Sequence, residues 1–197
     1  MNIDQITGVI LAGGRGSRMG GVDKGLQIFR GTPMVLHVMK RLLPQVGQLA
    51  VNANQNLPLY REFGVPVWTD DLPDFPGPLA GLHASLRQCG TAFLLTVPCD
   101  SPFLPLDLVG RLAEALEAHG ADLAFAITGE GASRQPQPVF CLLKTSLLPD
   151  LERYLQGGGR KVETWYASLH AVEVPFADES AFRNINTLDE LRRFESE

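Results

Sequence analysis

Short apolar runs alternate with longer amphipathic stretches along most of the chain, and this alternation limits the possible folds more than any other feature. The first run, Ile6 to Leu11, predicts a fully buried strand. Further strands are predicted over residues 49–51, 65–68, 92–97, 121–127, 139–143 and 170–174, and helices over 33–43, 78–87, 105–119, 147–155 and from 187 onward. This order predicts βαβ units and an α/β, Rossmann-like three-layer domain, with a mostly parallel sheet flanked by helices.

Two of the predicted helices carry explicit start signals. Thr32 and Pro33 are typical of an N-cap followed by proline at the first helical position. Thr187 and Glu190 have the spacing of a capping box, in which each side chain accepts from a backbone N–H of the other's residue. The second signal predicts a helix near the end of the sequence.

Length and composition restrict the class of protein. The 197 residues suit one domain over 1–197, with two domains as the less favoured alternative. A net charge of −5 argues against general nucleic-acid binding, which needs a basic face. No apolar run approaches the ~20 residues of a membrane-spanning helix, and the first residues lack the pattern of a signal peptide. We therefore predict a cytoplasmic protein without nucleic-acid or membrane partners.

The cysteines and histidines show no metal-binding pattern. Cys89, Cys99 and Cys141 form no C-x-x-C pair, and the four histidines are scattered without metal-ligand spacing. We expect reduced thiols in a reducing compartment and no zinc site.

Polar or flexible segments follow four consecutive predicted strands. A glycine-rich segment follows the first strand, residues 52–54 the second, 69–71 the third and 98–102 the fourth. Parallel sheets bind ligands beyond the carboxyl ends of their strands. A binding site is therefore predicted at this edge of the sheet.

The glycine-rich segment, Leu11 to Leu26, contains six glycines. It is not a Walker phosphate loop, because no Ser or Thr follows its lysine, and Met19 stands where a dinucleotide fingerprint needs its third glycine. Backbone amides free of side chains still form an anion-binding concavity, and Arg15, Arg18 and Lys24 can neutralise a triphosphate. The residues favour phosphate binding, with a flexible surface loop as the alternative.

Four ordered motifs carry a family resemblance. The opening motif L-A-G-G-x-G-x-R-M-G-x-x-D-K is followed by segments at 76–82, 98–103 and 184–187. Together they resemble the molybdenum cofactor guanylyltransferase family of nucleotidyltransferases, from about residue 6 to the end. The doubled Gly20-Gly21 and the glycine run at 157–159 depart slightly from the expected pattern.

The resemblance implies a nucleotide-diphospho-sugar transferase-like fold, GTP and Mg²⁺, with the nucleotide in the N-terminal half and molybdopterin, with or without molybdenum, in the C-terminal half. Cofactor-biosynthesis proteins and the molybdoenzymes that receive the product are further candidate partners. The implied catalytic residues are Arg18, Lys24 and Asp100, the last also holding the metal. The implied nucleotide-binding residues are Leu11, Ala12, Gly13, Gly14, Lys24, Asn52, Asp70, Gly81 and Asp100; the acceptor-binding residues are Arg160, Lys161, Asn184 and Asn186.

The chemistry of these residues fits the implied reaction. An acceptor phosphate monoester has a second pKa of about 6, so it is already anionic near neutral pH and needs no general base. Asp100 ends an apolar strand and suits Mg²⁺, although an aspartate there can also cap a turn. A carboxylate at Asp70 can accept from N1–H and the 2-amino group of guanine, and the neighbouring Asp71 is the alternative reader. A leucine at Gly13 is expected to exclude the triphosphate and leave the fold intact.

Other functions remain open at this stage. A cytidylyltransferase acting on the same cofactor, or a transferase for another phosphorylated acceptor, uses the same motifs. A nucleotide-binding regulatory module without turnover is the non-enzymatic alternative. Pyrophosphate release in the presence of nucleotide and acceptor distinguishes turnover from binding alone.

Overall fold

The computed structural model describes residues 1–14, 22–70 and 77–195. The strands in these ranges are β1 (Ile6–Leu11), β2 (Ile28–Phe29), β3 (Thr32–Pro33), β4 (Gln48–Asn52), β5 (Val67–Trp68), β6 (Phe93–Pro98), β7 (Leu123–Thr128), β8 (Gln135–Lys144) and β9 (Ala171–Phe176). The helices are α1 (Met34–Leu42), α2 (Leu57–Arg61), α3 (Pro78–Gln88), α4 (Leu108–Ala118), α5 (Leu148–Gln156), α6 (Val162–Tyr166) and α7 (Leu188–Glu195).

The main sheet has seven strands in the order β5-β4-β1-β6-β8-β7-β9. Every neighbouring pair is parallel except the two pairs that involve β8, which is antiparallel to both β6 and β7. The reason is the short connection between β7 and β8, since a parallel crossover needs about a dozen residues or more. The predicted mostly parallel sheet is confirmed, with one reversed strand.

Helices cover both faces of the sheet, which confirms the three-layer α/β architecture. Because side chains alternate along a strand, Ile10 of β1 packs in one apolar cluster with α1 and α4, while Val9 packs in a second with α3, α5 and α6. Nearly continuous burial along β1 and β6 follows from this double covering.

A third, smaller cluster holds α7 against a β-hairpin. The hairpin pairs β2 with β3, and its turn residues Arg30 and Gly31 both have positive φ, as a two-residue turn of this kind requires. Phe29 of the hairpin packs with Ile185 and with Phe194 of α7. This contact brings the end of the described chain back to the region that follows β1.

The helix start signals had different outcomes. The capping box at Thr187 is confirmed. The Glu190 N–H donates to Thr187 Oγ1 (3.1 Å), and the Glu190 carboxylate accepts from the Thr187 N–H (3.2 Å). Thr32 and Pro33, by contrast, form β3 rather than a cap and first turn, so that prediction was wrong. Their pairing with β2 keeps both residues extended, and α1 begins at Met34.

Other boundaries shift by a few residues. The helix predicted from residue 105 begins at Leu108, and β8 extends four residues before its predicted start. Helices α2 and α6 were not predicted, because each has only five residues, too few to show a helical period. All three cysteines are free. Within the described ranges no helix combines the length and apolarity needed to cross a bilayer.

Candidate active site

Several of the predicted site residues, among them Asn52, Asp70 and Asp100, lie where β1, β4, β5 and β6 end. Leu11 is in register with Asn52 of β4 on one side and with Pro98 of β6 on the other. Asn52 is in turn opposite Trp68, the last residue of β5. Side chains that directly follow these strands therefore lie along one edge of the sheet.

Three polar side chains at the β4–β5 end form what we call the amide cluster: Asn52, Asn54 and Asp70. Asn52 Nδ2 donates to Asp70 Oδ1 (2.8 Å), and Asn54 Nδ2 donates to Asp70 Oδ2 (2.8 Å). The backbone N–H of Asp70 donates back to Asn54 Oδ1 (2.9 Å). Both oxygens of the carboxylate are thus held by neutral amide donors.

Two glycines make room for the amide cluster. A Cβ at Gly13 would lie 2.7 Å from Asn54 Nδ2, and a Cβ at Gly81 would lie 2.6 Å from Asn52 Oδ1. A Cβ at Gly14, in contrast, would have no atom of the described residues within 4 Å. A leucine at Gly13 would therefore displace the Asn54 amide as well as any ligand, and the expectation that the overall fold stays largely intact remains a prediction.

The β1–β6 end carries a charged group, the lysine cluster, made of Lys24, Asp100 and Asn186. Lys24 Nζ donates to Asp100 Oδ2 (2.9 Å) and to Asn186 Oδ1 (2.7 Å). Asp100 is only 7% exposed, and its Oδ1 is buried without a hydrogen-bond partner among the described residues. A buried carboxylate oxygen in this state normally has a ligand, since an unsatisfied polar atom is costly.

Asp23 fixes the backbone that carries Lys24, a role that the sequence analysis missed. Its Oδ1 accepts from Gly25 N–H (3.2 Å) and from the Tyr60 hydroxyl (2.6 Å), and its Oδ2 accepts from Asn56 Nδ2 (3.1 Å). Burial, reinforced by the nearby Cys99 and by this hydrogen bond, raises the pKa of Tyr60 well above its usual range, so the hydroxyl remains a donor. The Asp-x-Gly spacing at 23–25 was the available signal, since it is typical of an aspartate that accepts from the N–H two residues on.

The segment 184–186 lies beside Asp100. Ile185 N–H donates to the Asp100 carbonyl (2.8 Å), and the Ile185 side chain is fully buried. Asn184 accepts from the Ser101 hydroxyl (2.5 Å), while Asn186 accepts from Lys24. Of the two asparagines predicted to bind the acceptor, Asn186 therefore contacts the site residue Lys24, and Asn184 contacts Ser101, the residue after Asp100.

Arg160 and Lys161 lie in the turn between α5 and α6. Arg160 Nη1 donates to the carbonyls of Leu155 (3.1 Å) and Gly159 (2.6 Å). Gly159 is required here because the Tyr154 ring packs directly on it, and Tyr154 donates to the Lys161 carbonyl. The glycine run at 157–159 thus shapes this turn.

Three candidates fall outside the described residues: Arg15 and Arg18 of the glycine-rich segment, and Asp71, the alternative base reader. Leu11, Ala12 and Gly14 follow or end β1 within the described part, and the Ala12 N–H donates to the Asn52 carbonyl (2.7 Å). Among the described residues no group of three or more His, Cys, Asp or Glu side chains is placed to hold a metal. A metal here would therefore depend on Asp100 together with oxygens of the substrate.

This sheet, with a lysine and an aspartate at the carboxyl ends of β1 and β6, is the architecture of a nucleotidyltransferase. A family model described as the MobA-like NTP transferase domain matches residues 8–172. Among solved structures, molybdopterin-guanine dinucleotide biosynthesis protein A from Archaeoglobus fulgidus superposes with a TM-score of 0.78 at 26% identity, covering 96% of this chain and 97% of that one. A 4-diphosphocytidyl-2C-methyl-D-erythritol synthase from Anaerococcus prevotii has a TM-score of 0.77 at 11% identity, over 97% and 96% of the two chains, and shares the fold alone.

Curated relatives identify the family more closely. Molybdenum cofactor guanylyltransferase from Cupriavidus necator is 64% identical over 194 residues, which are 98% of each chain. The protein of the same name from Ralstonia pickettii is 58% identical over 193 residues, 95% of each chain. The chain therefore belongs to the molybdenum cofactor guanylyltransferase family, within the MobA-like NTP transferases. It is an enzyme of the nucleotidyltransferase class.

Proposed function

We propose that the protein transfers GMP from GTP to the terminal phosphate of molybdopterin, with or without bound molybdenum, and releases pyrophosphate. An oxygen of the acceptor phosphate bonds to the α-phosphorus of GTP as the bond from that phosphorus to the β-phosphate oxygen breaks. The observation that carries this proposal is the separation of the amide cluster from the lysine cluster along one sheet edge. The names of the relatives supply the identity of the nucleotide and of the acceptor.

The spacing of the two clusters suits a nucleoside triphosphate. Asp70 follows β5 and Asp100 follows β6, three strand positions away in the sheet. Three spacings of about 4.8 Å make roughly 14 Å, which is on the scale of a nucleotide from base to phosphates. The base then lies at the amide cluster and the phosphates at the lysine cluster.

The charge at Asp70 indicates what that end binds. A carboxylate repels phosphate, and in this cluster its described contacts are neutral amides. N–H donors are the groups that such a carboxylate attracts, and guanine presents two adjacent ones, N1–H and the 2-amino group. Asp70 is therefore our proposed reader of the base, with Asn52, Gly81, Leu11 and Ala12 forming the rest of the base and ribose site, while the backbone amides of Gly13 and Gly14 keep their assignment to the phosphates.

The lysine cluster suits the reacting phosphates. Mg²⁺ prefers oxygen ligands and is usually held by one or two carboxylates plus phosphates and water, which agrees with the unpartnered Asp100 Oδ1. When bound, Mg²⁺ would supply charge neutralisation to the triphosphate and the leaving pyrophosphate. Lys24 adds a second positive charge at the same place, and we assign Arg18 to the same task.

The acceptor side of the site is assigned to Asn184 and Asn186, with Arg160 and Lys161 as cations for the anionic pterin. The two asparagines flank Asp100 through Ser101 and Lys24, so an acceptor phosphate beside them is close to the metal position. Transfer between phosphates depends mainly on positioning and charge. No general base is invoked, because the acceptor is already ionised. A cytoplasmic location remains the prediction made from the sequence.

The experiment is a nucleotide panel. GTP, ITP, ATP or CTP is incubated with the purified protein, molybdopterin and Mg²⁺. Released pyrophosphate is measured, and the cofactor product is identified by its mass. We expect pyrophosphate and a guanine dinucleotide with GTP, and loss of both after chelation, with recovery on adding Mg²⁺. A cytosine product in preference to the guanine one, or GTP binding without pyrophosphate, would overturn the proposal.

A further inference from the structure

Asn54 makes a two-point contact with the proposed base reader. Its Nδ2 donates to the Asp70 carboxylate, and its Oδ1 accepts from the Asp70 backbone N–H, at 2.8 and 2.9 Å. The Asn54 side chain thus bonds to both the carboxylate and the backbone N–H of Asp70. Rotating the Asn54 amide by half a turn would place oxygen against carboxylate and N–H against N–H, so the pair of bonds also determines the orientation of the amide.

The contact fixes the plane of the Asp70 carboxylate. Asn52 donates to one of its oxygens and Asn54 to the other. Each carboxylate oxygen has two lone pairs, so each keeps one acceptor position for a ligand. Two parallel acceptor positions in a fixed plane match a planar ligand with two adjacent N–H donors, and a ligand with one such donor leaves one position unfilled.

The two asparagines differ in how far they are buried. Asn52 is 1% exposed and lies against Gly81, so its loss would disturb the packing of α3 on the sheet. Asn54 is exposed at the rim and lies over Gly13, whose lack of a side chain leaves space for it. Removing the Asn54 amide therefore releases one side of Asp70 without emptying a core position.

From this geometry we propose that Asn54 is a positioning residue that determines nucleobase selectivity by holding the Asp70 carboxylate in the plane of the base. The proposal rests on the proposed function, specifically on Asp70 as the reader of guanine. Asn54 acts through Asp70, so its loss should reduce selectivity more than it reduces binding of nucleotides in general.

The test compares GTP with ITP, which keeps N1–H and lacks the 2-amino group. Dissociation constants are measured by calorimetry with the full chain and Mg²⁺, without acceptor, for wild type, Asn54→Ala, Asp70→Asn and the control Gln55→Ala. Gln55 is the exposed residue that follows Asn54, and it lies near Gly13 and Gly14. We expect wild type to favour GTP over ITP by about tenfold or more, Gln55→Ala to keep this ratio, and Asn54→Ala to reduce it to about threefold or less.

The outcomes separate the two proposals. A general loosening of the loop weakens GTP and ITP equally and leaves the ratio at its wild-type value, which would overturn the role of Asn54. If Asp70→Asn abolishes the preference and Asn54→Ala does not, the base reader stands and Asn54 is eliminated. A wild-type protein that binds GTP and ITP equally would overturn the reading of guanine by Asp70, and the role of Asn54 with it. Thermal unfolding of each variant confirms that the compared proteins are folded.

Discussion

The two ends of the site satisfy their polar groups in opposite ways. In the amide cluster both oxygens of the Asp70 carboxylate accept from neutral amides, and both polar side-chain atoms of Asn54 bond to Asp70. In the lysine cluster an ammonium group pairs with Asp100 while the other oxygen of that carboxylate has no partner among the described residues. The Asp70 carboxylate thus has a partner at each oxygen before ligand arrives, whereas the Asp100 carboxylate has a described partner at one oxygen.

This difference indicates that the amide cluster and the lysine cluster contribute differently to selectivity and to rate. A preorganised group loses little freedom when its ligand arrives, so it favours selectivity. At the lysine cluster Asp100 and Asn186 take two of the three N–H donors of Lys24, so under the proposed function one donor is left for a phosphate. We expect changes at the lysine cluster to alter mainly the rate, and changes at the amide cluster to alter mainly the choice of nucleotide.

The largest effect is expected from Asp100→Asn, which keeps the shape of the side chain and removes its charge. Loss of a metal-holding, charge-neutralising group should lower kcat by about 10²–10³-fold, as for other electrostatic stabilisers of a transition state. The measurement is the rate of pyrophosphate release over a range of Mg²⁺ concentrations. Asp107→Asn, at the exposed start of α4, is the matched control and should behave as wild type.

If Asp100→Asn keeps the wild-type rate and the wild-type response to Mg²⁺, the lysine cluster does not determine the rate, and the proposed difference between the two clusters is wrong. Retained selectivity for GTP over ITP in the same variant is the second expected result, because the amide cluster is unchanged. A loss of selectivity together with rate would mean that the two clusters are not independent.

A smaller effect is expected from Lys24→Ala. The chain contains a matched pair for comparison, since Lys144 Nζ lies 3.0 Å from Asp122 Oδ1 at the opposite edge of the sheet. Removing a charged donor from the triphosphate should lower kcat/KM by roughly 10–100-fold. Lys144→Ala removes a half-buried ion pair worth about 1 kcal/mol in stability and should leave kcat/KM within about twofold of wild type.

Both lysine variants are assayed at the same ionic strength, with urea unfolding to compare their stability. Equal activities of Lys24→Ala and Lys144→Ala would show that Lys24 is an ordinary ion-pair partner and not part of the phosphate site.

The smallest effect is a pH dependence of folding stability that comes from Cys99, the residue before Asp100 of the lysine cluster. Burial, followed by the charge of Asp100, raises the pKa of the Cys99 thiol far above its usual value. An unfolded chain releases this proton above about pH 8.5 while the folded chain keeps it, so folding stability should fall as pH rises beyond that point. One such thiol contributes at most about 1.4 kcal/mol per pH unit.

Urea unfolding of wild type and Cys99→Ala at about pH 8 and about pH 9.5 tests this. The alkaline loss of stability should be smaller in Cys99→Ala. Cys141→Ala should give a similar reduction, because burial also raises the pKa of that thiol. An unchanged slope in both variants would contradict burial as the cause.

Local sequence signals predicted the position of β1, the sheet edge that carries the site residues, and the start of α7. The apolar run at β1 gave both ends of the strand because both faces of the sheet are covered, and the strand-end rule located Asn52, Asp70 and Asp100 at one edge. The capping box at Thr187 needed only a four-residue pattern. These features depend on neighbours in the sequence, so the sequence sufficed.

Features that depend on distant partners could not be predicted in the same way. The direction of β8 is seen in its antiparallel pairing with both β6 and β7. Tyr60 and Asp23 are 37 positions apart, and Lys24 and Asn186 are 162 apart. Assigning Lys24 to the nucleotide and Asn186 to the acceptor did not anticipate that the two side chains bond to each other. The role of Asn54 was missed because it depends on the position of Asp70 and on the space above Gly13.

The packing of α7 on the β2–β3 hairpin has a consequence for the way the protein is made. A ribosome synthesises Lys24 early and Asn186 long afterwards, and the 2.7 Å contact between them requires α7 to be folded against Phe29. A growing chain can build β1, β4 and the amide cluster well before that point. If the proposed function is right, the contacts for the base can therefore form during translation before the Lys24–Asn186 contact at the phosphate end, and we expect full nucleotide affinity only once the segment around Asn186 is made.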